Sequence, residues 1–284
     1  MAGERLSQAA QPAVHPRGLA ELRVVACALA RQQQAYVADG LRHRGSCHFL
    51  ASGDELLREL ARGEGCDVVI IGPRDADGRS TAPLVEQIAR DWSGIAMVMF
   101  FPARTVPDFS PRSFLLAGAH QLVHEGVNDT ALTIAQAVEN ARRECSAEIV
   151  FRAIQPLIPP VLQPWAHAVV SSPHRVTSVT TLAADQGVHR KTLVNRCARL
   201  GFLSPAELIA WCRLCVVGHQ LELTGATVDA IAINLEYPSH TALRNRLKRY
   251  TGMKATEVRQ SGGLAAVVAA FARRLVEHGE AAGS

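Results

Sequence analysis

The chain has 284 residues, 48% of them hydrophobic and 20% charged, with 30 Lys and Arg against 26 Asp and Glu. This is enough apolar mass to fill the cores of two ordinary domains, yet the longest unbroken apolar run, 264–272, is far short of the roughly 18 residues a bilayer span needs. The first twenty residues scatter Arg5, His15 and Arg17 among Ala, Gln and Pro without a secretory apolar stretch, so a disordered N-terminal tail (1–20) on a cytoplasmic protein is expected.

From 21 to 150 short apolar runs alternate with amphipathic stretches. Strands are predicted at 22–29, 47–50, 67–71, 95–101 and 120–124, and helices at 31–44, 54–64, 82–91 and 128–145. Strands that read as continuous apolar runs between helices imply a parallel sheet covered on both faces. The predicted fold class of this part is therefore α/β, a doubly wound parallel sheet of the receiver or flavodoxin type.

The third strand closes as Asp67-Val-Val-Ile-Ile-Gly72 and the fifth is opened by Ala117-Gly118-Ala119-His120, and in this the segment resembles a response-regulator receiver domain. The resemblance implies a phosphorylated Asp at the end of the third strand, acids after the first to hold Mg²⁺, and a Lys after the fifth. The matching positions here hold Gly72, then Ala26 and Cys27, then Glu125. Gly cannot replace a nucleophilic carboxylate, and without acids no divalent ion is held. A receiver-like domain without its phosphoacceptor is expected, used for dimerisation or signal input, its last helix coupling it to a linker. A rival use is a small-ligand pocket at the carboxyl ends of the strands, where such sheets bind; its candidate polar groups are Arg74, Asp75, Asp77 and Arg104, weighed against ordinary solvated loop charges.

Residues 151–175 hold Pro156, Pro159, Pro160, Pro164 and Pro173 and read as a structured linker with one short helix at 165–171. After Val176 the strands stop, and the predicted class is all-α: a domain over 176–262, then a C-terminal helix and tail over 263–284. The charge is divided in the same way. Eleven Lys and Arg stand against six acids in 176–262, while the rest of the chain carries nineteen against twenty. An anionic partner is indicated for the helical part alone.

Within that part the sequence repeats. Leu193-Val-Asn195-Arg196-Cys197-Ala-Arg199 returns fifty residues later as Leu243-Arg-Asn245-Arg246-Leu247-Lys-Arg249. Each copy comes after a shorter helix and a break, through Gly187 and His189 in the first and through Asn234, Tyr237 and Ser239 in the second. Gly or Asn supplies the backbone freedom of a tight turn and Ser239 is a good N-cap, so two helix-turn-helix units are predicted. Rotating 100° per residue away from the core pairs Leu193/Cys197 and Leu243/Leu247 exposes two basic faces. The candidate DNA-binding residues are Arg190, Lys191, Asn195 and Arg199 in the first unit and Thr241, Arg244, Asn245, Lys248 and Arg249 in the second. Asn can bond adenine N6 and N7 while Lys and Arg reach guanine or phosphate. The plain alternative is a pair of solvated helix faces.

Ser204-Pro205-Ala-Glu207-Leu208 opens a helix to about Leu221 that would hold the two units at a fixed separation. Leu182-Ala183, Thr192-Leu193, Gly201, Ser204-Pro205, Arg213-Leu214, Val228, Ile231-Ala232, Lys248 and Gly252 together resemble the AraC/XylS-family DNA-binding domain, over about 176–260. The resemblance implies seven helices, two helix-turn-helix motifs and control of transcription on double-stranded DNA. It departs at Cys197 and Leu247, where Phe is usual, at Asn195 and Asn245, where Arg is common, and at Lys254-Ala255, where Ser-Pro is usual. The expected partners are double-stranded DNA, RNA polymerase and a second copy of the chain joined through the N-terminal domain, with no membrane.

No phosphate-cradling loop, nucleophile elbow or His-Glu-x-x-His stands in the chain, so no enzyme and no cofactor is expected. Cys212, Cys215 and His219 share a helix face, but three ligands on one rigid helix cannot surround a tetrahedral zinc, and core packing is the expected role, with no metal. None of the seven cysteines stands in a recognisable methyl-accepting motif. The rival class is a protein-interaction adaptor or small-ligand sensor on a receiver-like fold, with weak or non-specific DNA binding.

Overall fold

The computed structural model describes residues 22–103, 110–223 and 227–283; the expected tail and Arg104 lie outside them. The apolar runs form β1 (Leu22–Cys27), β2 (Gly45–Leu50), β3 (Val68–Ile71), β4 (Ala96–Phe101) and β5 (Gln121–His124), all parallel, in the order β2-β1-β3-β4-β5. That is the doubly wound order whose direction reverses between β1 and β3. Interleaved are α1 (Arg31–Leu41), α2 (Gly53–Ala61), α3 (Ala82–Asp91), α4 (Pro111–Leu116) and α5 (Ala131–Ile154). Because strand side chains alternate, the central strands feed two cores. Val24, Ala26, Val68, Ile70, Val98 and Phe100 meet α1 and α5 on one face. Val25, Cys27, Val69, Ile71, Met97 and Met99 meet α2, α3 and α4 on the other.

Two elements differ from the sequence reading. The short α4 has no counterpart in it, although Ser110 stands before Pro111 at the helix's first position, a common opening. And α5 runs nine residues past Cys145, because neither Gly nor Pro interrupts the chain before Pro156. Its first half packs Ile134, Val138, Ala141 and Cys145 on the sheet, while Val150 and Ile154 enter the core of the helical unit.

The proline-rich segment is built into that same core. After α5 come two 3-10 turns and α6 (Gln163–Ser171), which contribute Ile158, Leu162, Trp165, Val169 and Val170. The chain continues through α7 (Val179–Asp185), α8 (Arg190–Arg199), α9 (Pro205–Leu223), α10 (Val228–Asn234), α11 (His240–Thr251), α12 (Ala255–Gln260) and α13 (Leu264–Gly283). Every residue of α9 from 208 to 219 is buried, Arg213 and His219 among them. Trp211 of α9 stacks on Phe271 of α13 at 5.2 Å and meets the Tyr250 ring of α11 edge-on at 5.1 Å. α13 also approaches closely where Gly218 meets Gly263; a Cβ on Gly263 would stand 2.6 Å from the Gly218 carbonyl oxygen.

Cys212 and Cys215 lie fully inside this core, as expected for packing residues. Burial raises the thiols of Cys27 and Cys197 to about 11 and those of Cys47, Cys66 and Cys145 to about 12, far from the thiolate a nucleophile requires. No described helix is long and apolar enough to cross a membrane, and among the described residues no three His, Cys, Asp or Glu are grouped as a metal ion would need.

Candidate nucleic-acid interface

All four helices of the two units are fixed at their starts by side chains. Ser178 Oγ accepts the Thr181 N–H at 3.1 Å ahead of α7, and Thr227 Oγ1 accepts the Ala230 N–H at 3.2 Å ahead of α10. At the second helices, His189 Nδ1 accepts the Lys191 N–H at 3.2 Å, and Ser239 Oγ accepts the Ala242 N–H at 3.0 Å. Caps of this kind are worth about 1 kcal/mol each and set where the recognition helix begins.

The two turns share one hydrogen-bond pattern. Val188 N–H reaches Ala183 O at 3.0 Å and Gly187 N–H reaches Ala184 O at 3.2 Å; Tyr237 N–H reaches Ala232 O at 2.9 Å and Glu236 N–H reaches Ile233 O at 3.1 Å. Such a closure needs one residue in the left-handed region. In the first turn it is Gly187, at φ 60°, in agreement with the sequence reading. In the second it is Glu236, at φ 53°, and not Asn234, which ends α10 in helical geometry. In both turns the residue that bends is the second after the first helix, and the extra residue of the second turn falls between Glu236 and Ser239.

What holds that turn is Arg213, buried at mid-helix in α9. Its guanidinium donates to the Leu235 carbonyl and lies 4.4 Å over the Tyr237 ring. The contact spans 22 residues and leaves no local mark in the sequence. Arg196 and Arg246, equivalent in the repeat, are likewise placed over aromatic rings, Trp165 at 5.4 Å and Tyr237 at 6.0 Å. These two arginines therefore lean toward the body of the domain.

The nine predicted interface residues lie on the two second helices: Arg190, Lys191, Asn195 and Arg199 on α8, and Thr241, Arg244, Asn245, Lys248 and Arg249 on α11, all exposed. Their core partners Leu193, Cys197, Leu243 and Leu247 are buried. Among the described residues Arg190, Lys191, Arg199, Lys248 and Arg249 have no ion pair, whereas Arg23, Arg42, Arg62, Arg142 and Arg152 each meet a carboxylate. Arg244 alone of the nine has an acid near, Asp229 of α10 at 3.9 Å, which also lies 3.4 Å from His240 Nδ1. Two faces of uncompensated positive charge, each centred on an Asn, are the result.

At the end of the sheet where a receiver does its chemistry, the described backbone leaves no room for a side chain at position 72. Gly72 N–H donates to Cys27 O at 3.1 Å, and Thr81 Oγ1 donates to Gly72 O at 2.6 Å. A Cβ at Gly72 would lie 2.0 Å from the Ala28 carbonyl oxygen, so the backbone of the first loop fills the space of any side chain there. Glu125 Oε2 accepts from Gln33 Nε2 at 3.3 Å. Of the proposed pocket groups, Asp75 Oδ1 is used within its own loop, accepting the N–H groups of Asp77 and Arg79 at 3.0 and 2.8 Å, and Arg74 donates to Gly78 O at 2.6 Å. Arg104 lies outside the described residues. A cavity of about 370 Å³ is found elsewhere, lined by Pro156, Ile158, Phe202 and Leu275 among others.

A family described as a helix-turn-helix domain, of the AraC type, matches residues 182–261. No curated protein matches the chain. Among solved structures, the response regulator StyR is similar at 20% identity, over 67% of this chain and 97% of its own, with a TM-score of 0.36. A response regulator protein from Burkholderia pseudomallei, with a phosphorylated aspartic acid, calcium ion and citrate, is similar at 16% identity over 61% and 96%, TM-score 0.36. RcsB from Salmonella enterica serovar Typhimurium, bound to promoter rprA in the presence of phosphomimetic BeF3−, is similar at 12% identity over 67% and 98%, TM-score 0.34.

Proposed function

We propose that the chain is a sequence-specific DNA-binding transcription regulator. The observation that carries this is the pair of exposed basic faces, unpaired except for Arg244, on the second helices of two helix-turn-helix units packed about one buried helix. In this reading α8 and α11 enter successive major grooves on one side of the duplex, about 34 Å apart. Asn195 and Asn245 bond base edges, while Arg190, Lys191, Arg199, Thr241, Arg244, Lys248 and Arg249 reach phosphate or guanine. The DNA-binding domain is residues 176–262, extended by its C-terminal helix, and 151–175 joins it to the receiver-like domain of 21–150.

The receiver-like domain serves dimerisation or signal input, without aspartyl phosphorylation. Support for this comes from Gly72, which offers neither a carboxylate nor room for one. The regulator acts in the cytoplasm beside RNA polymerase, as a non-enzyme without cofactor. The adaptor reading is disfavoured, because a surface that has lost its nucleic-acid partner has no need of uncompensated charge in register on two helices.

A gel shift against genomic fragments in a salt series tests the reading. Selective binding that weakens as salt rises supports it, and binding without selectivity refutes it. Asn195→Ala and Asn245→Ala each cost ~1–3 kcal/mol on the preferred site and little on random DNA. Arg199→Ala and Arg249→Ala weaken both alike and lower the salt slope by about one each.

A further inference from the structure

The two recognition helices agree in their core stripe and in the central Asn, but not beside it. Fifty residues apart, Lys191 corresponds to Thr241, Val194 to Arg244 and Ala198 to Lys248. Val194 is 44% exposed and Ala198 is exposed, although Leu193 and Cys197 already fill the core stripe of α8. Residues 194 and 198 are one helical turn apart, so they form a continuous apolar strip, with Asn195 alongside. A β-branched residue lowers helix propensity and, left 44% exposed, gains only part of the burial that would offset it. An apolar group outside the chain would supply that burial.

The difference extends to the supporting helices. Asp229 of α10 lies near Arg244, but the matching position of α7 is the uncharged Thr180. The α8 flank thus lacks both the guanidinium and the acid that steers it. In the major groove the apolar group within reach of a helix is the thymine 5-methyl, and the partner of an Asn is adenine.

We propose that α8 reads A·T pairs, with Asn195 on adenine and Val194 and Ala198 against the methyl of a neighbouring thymine, whereas Arg244 and Lys248 direct α11 to guanine and phosphate. This rests on the regulator reading and deepens it by assigning a base class to each half of the site.

Full-length protein is used to select duplexes from a random pool, and the α8 half of the site is identified as the half whose base preference relaxes in Asn195→Ala. Each thymine is then replaced singly by deoxyuridine, which deletes only the methyl, and dissociation constants are read by fluorescence anisotropy at fixed salt. Burial of one methyl is worth about fourfold in affinity. The expected result is a loss of about fourfold at one or two positions in the α8 half and none in the α11 half. Val194→Ala should bind the thymine and deoxyuridine duplexes equally. Selective binding that ignores every replacement, or methyl sensitivity confined to the α11 half, overturns the base assignment while the regulator reading stands. Loss of all selectivity overturns the regulator reading, and the assignment falls with it.

Discussion

Single backbone positions decide what each unit can do. At Gly72 even a methyl group would overlap the Ala28 carbonyl oxygen, 2.0 Å away, and the two residues directly follow the paired strand ends Ile71 and Cys27. Gly72→Ala is expected to cost at least ~3 kcal/mol, read as a lower urea midpoint of the full chain, since neither segment can withdraw without breaking its ladder. Gly72→Asp should be as severe and acquire no phosphoryl group from acetyl phosphate. Glu236 shows the opposite case. A non-glycine residue held at φ 53° costs about 1 kcal/mol or more, so Glu236→Gly should stabilise the protein by ~1 kcal/mol in the same denaturation assay. An unchanged or lower midpoint would mean that the Glu236 side chain makes a compensating contribution in the folded state.

At the scale of elements, α9 carries one source of the pH response. His219, in its second half, is 4% exposed, and burial pushes its pKa down to about 4. In the unfolded chain the same imidazole binds a proton near 6.5. Between those values the unfolded state holds more protons than the native one, so stability rises with pH. The contribution is complete above 6.5 and is lost as pH falls through 4, a swing of about 3 kcal/mol. Urea midpoints measured from pH 7.5 to 4.5 should show this slope, and His219→Leu should reduce it to what the partly buried His120, whose pKa burial also lowers, contributes.

Much at this scale is legible in the sequence. The five strands and the helices α3 and α7 can be placed to within a few residues, because their apolar period and caps are local. The tie between Arg213 and the second turn, the pairing of Asp229 with His240, and the displacement of the bend from Asn234 to Glu236 are not legible. Each depends on a contact across a turn or across 22 residues, set by packing rather than by neighbours in the chain. The exposure of the interface residues is legible for a different reason: it is fixed by rotation about a helix once two core positions are known.

For the whole molecule, the excess positive charge is confined to 176–262, whereas the helical core begins earlier, at Val150. The β-α unit neutralises many of its arginines internally, whereas the helical unit leaves Arg190, Arg199 and Arg249 without an ion pair on its outward faces. A domain boundary at 150 is the natural sequence reading, since prolines begin to cluster soon after. The structure instead carries α5 unbroken through that point, with Ile149 packed against both the sheet-side core and the helical core. A continuous rod 24 residues long, about 36 Å, gives the two units a fixed angular relation. One residue inserted after Glu148 would turn one half against the other by about 100°, while seven would nearly restore the original phase at a separation about 10 Å greater. Any input that depends on orientation should therefore fail with the single insertion and return in part with the seven-residue one, as measured by reporter expression from the selected site. A lineage that exchanges either module for another inherits the same constraint: the splice must keep count in helical turns.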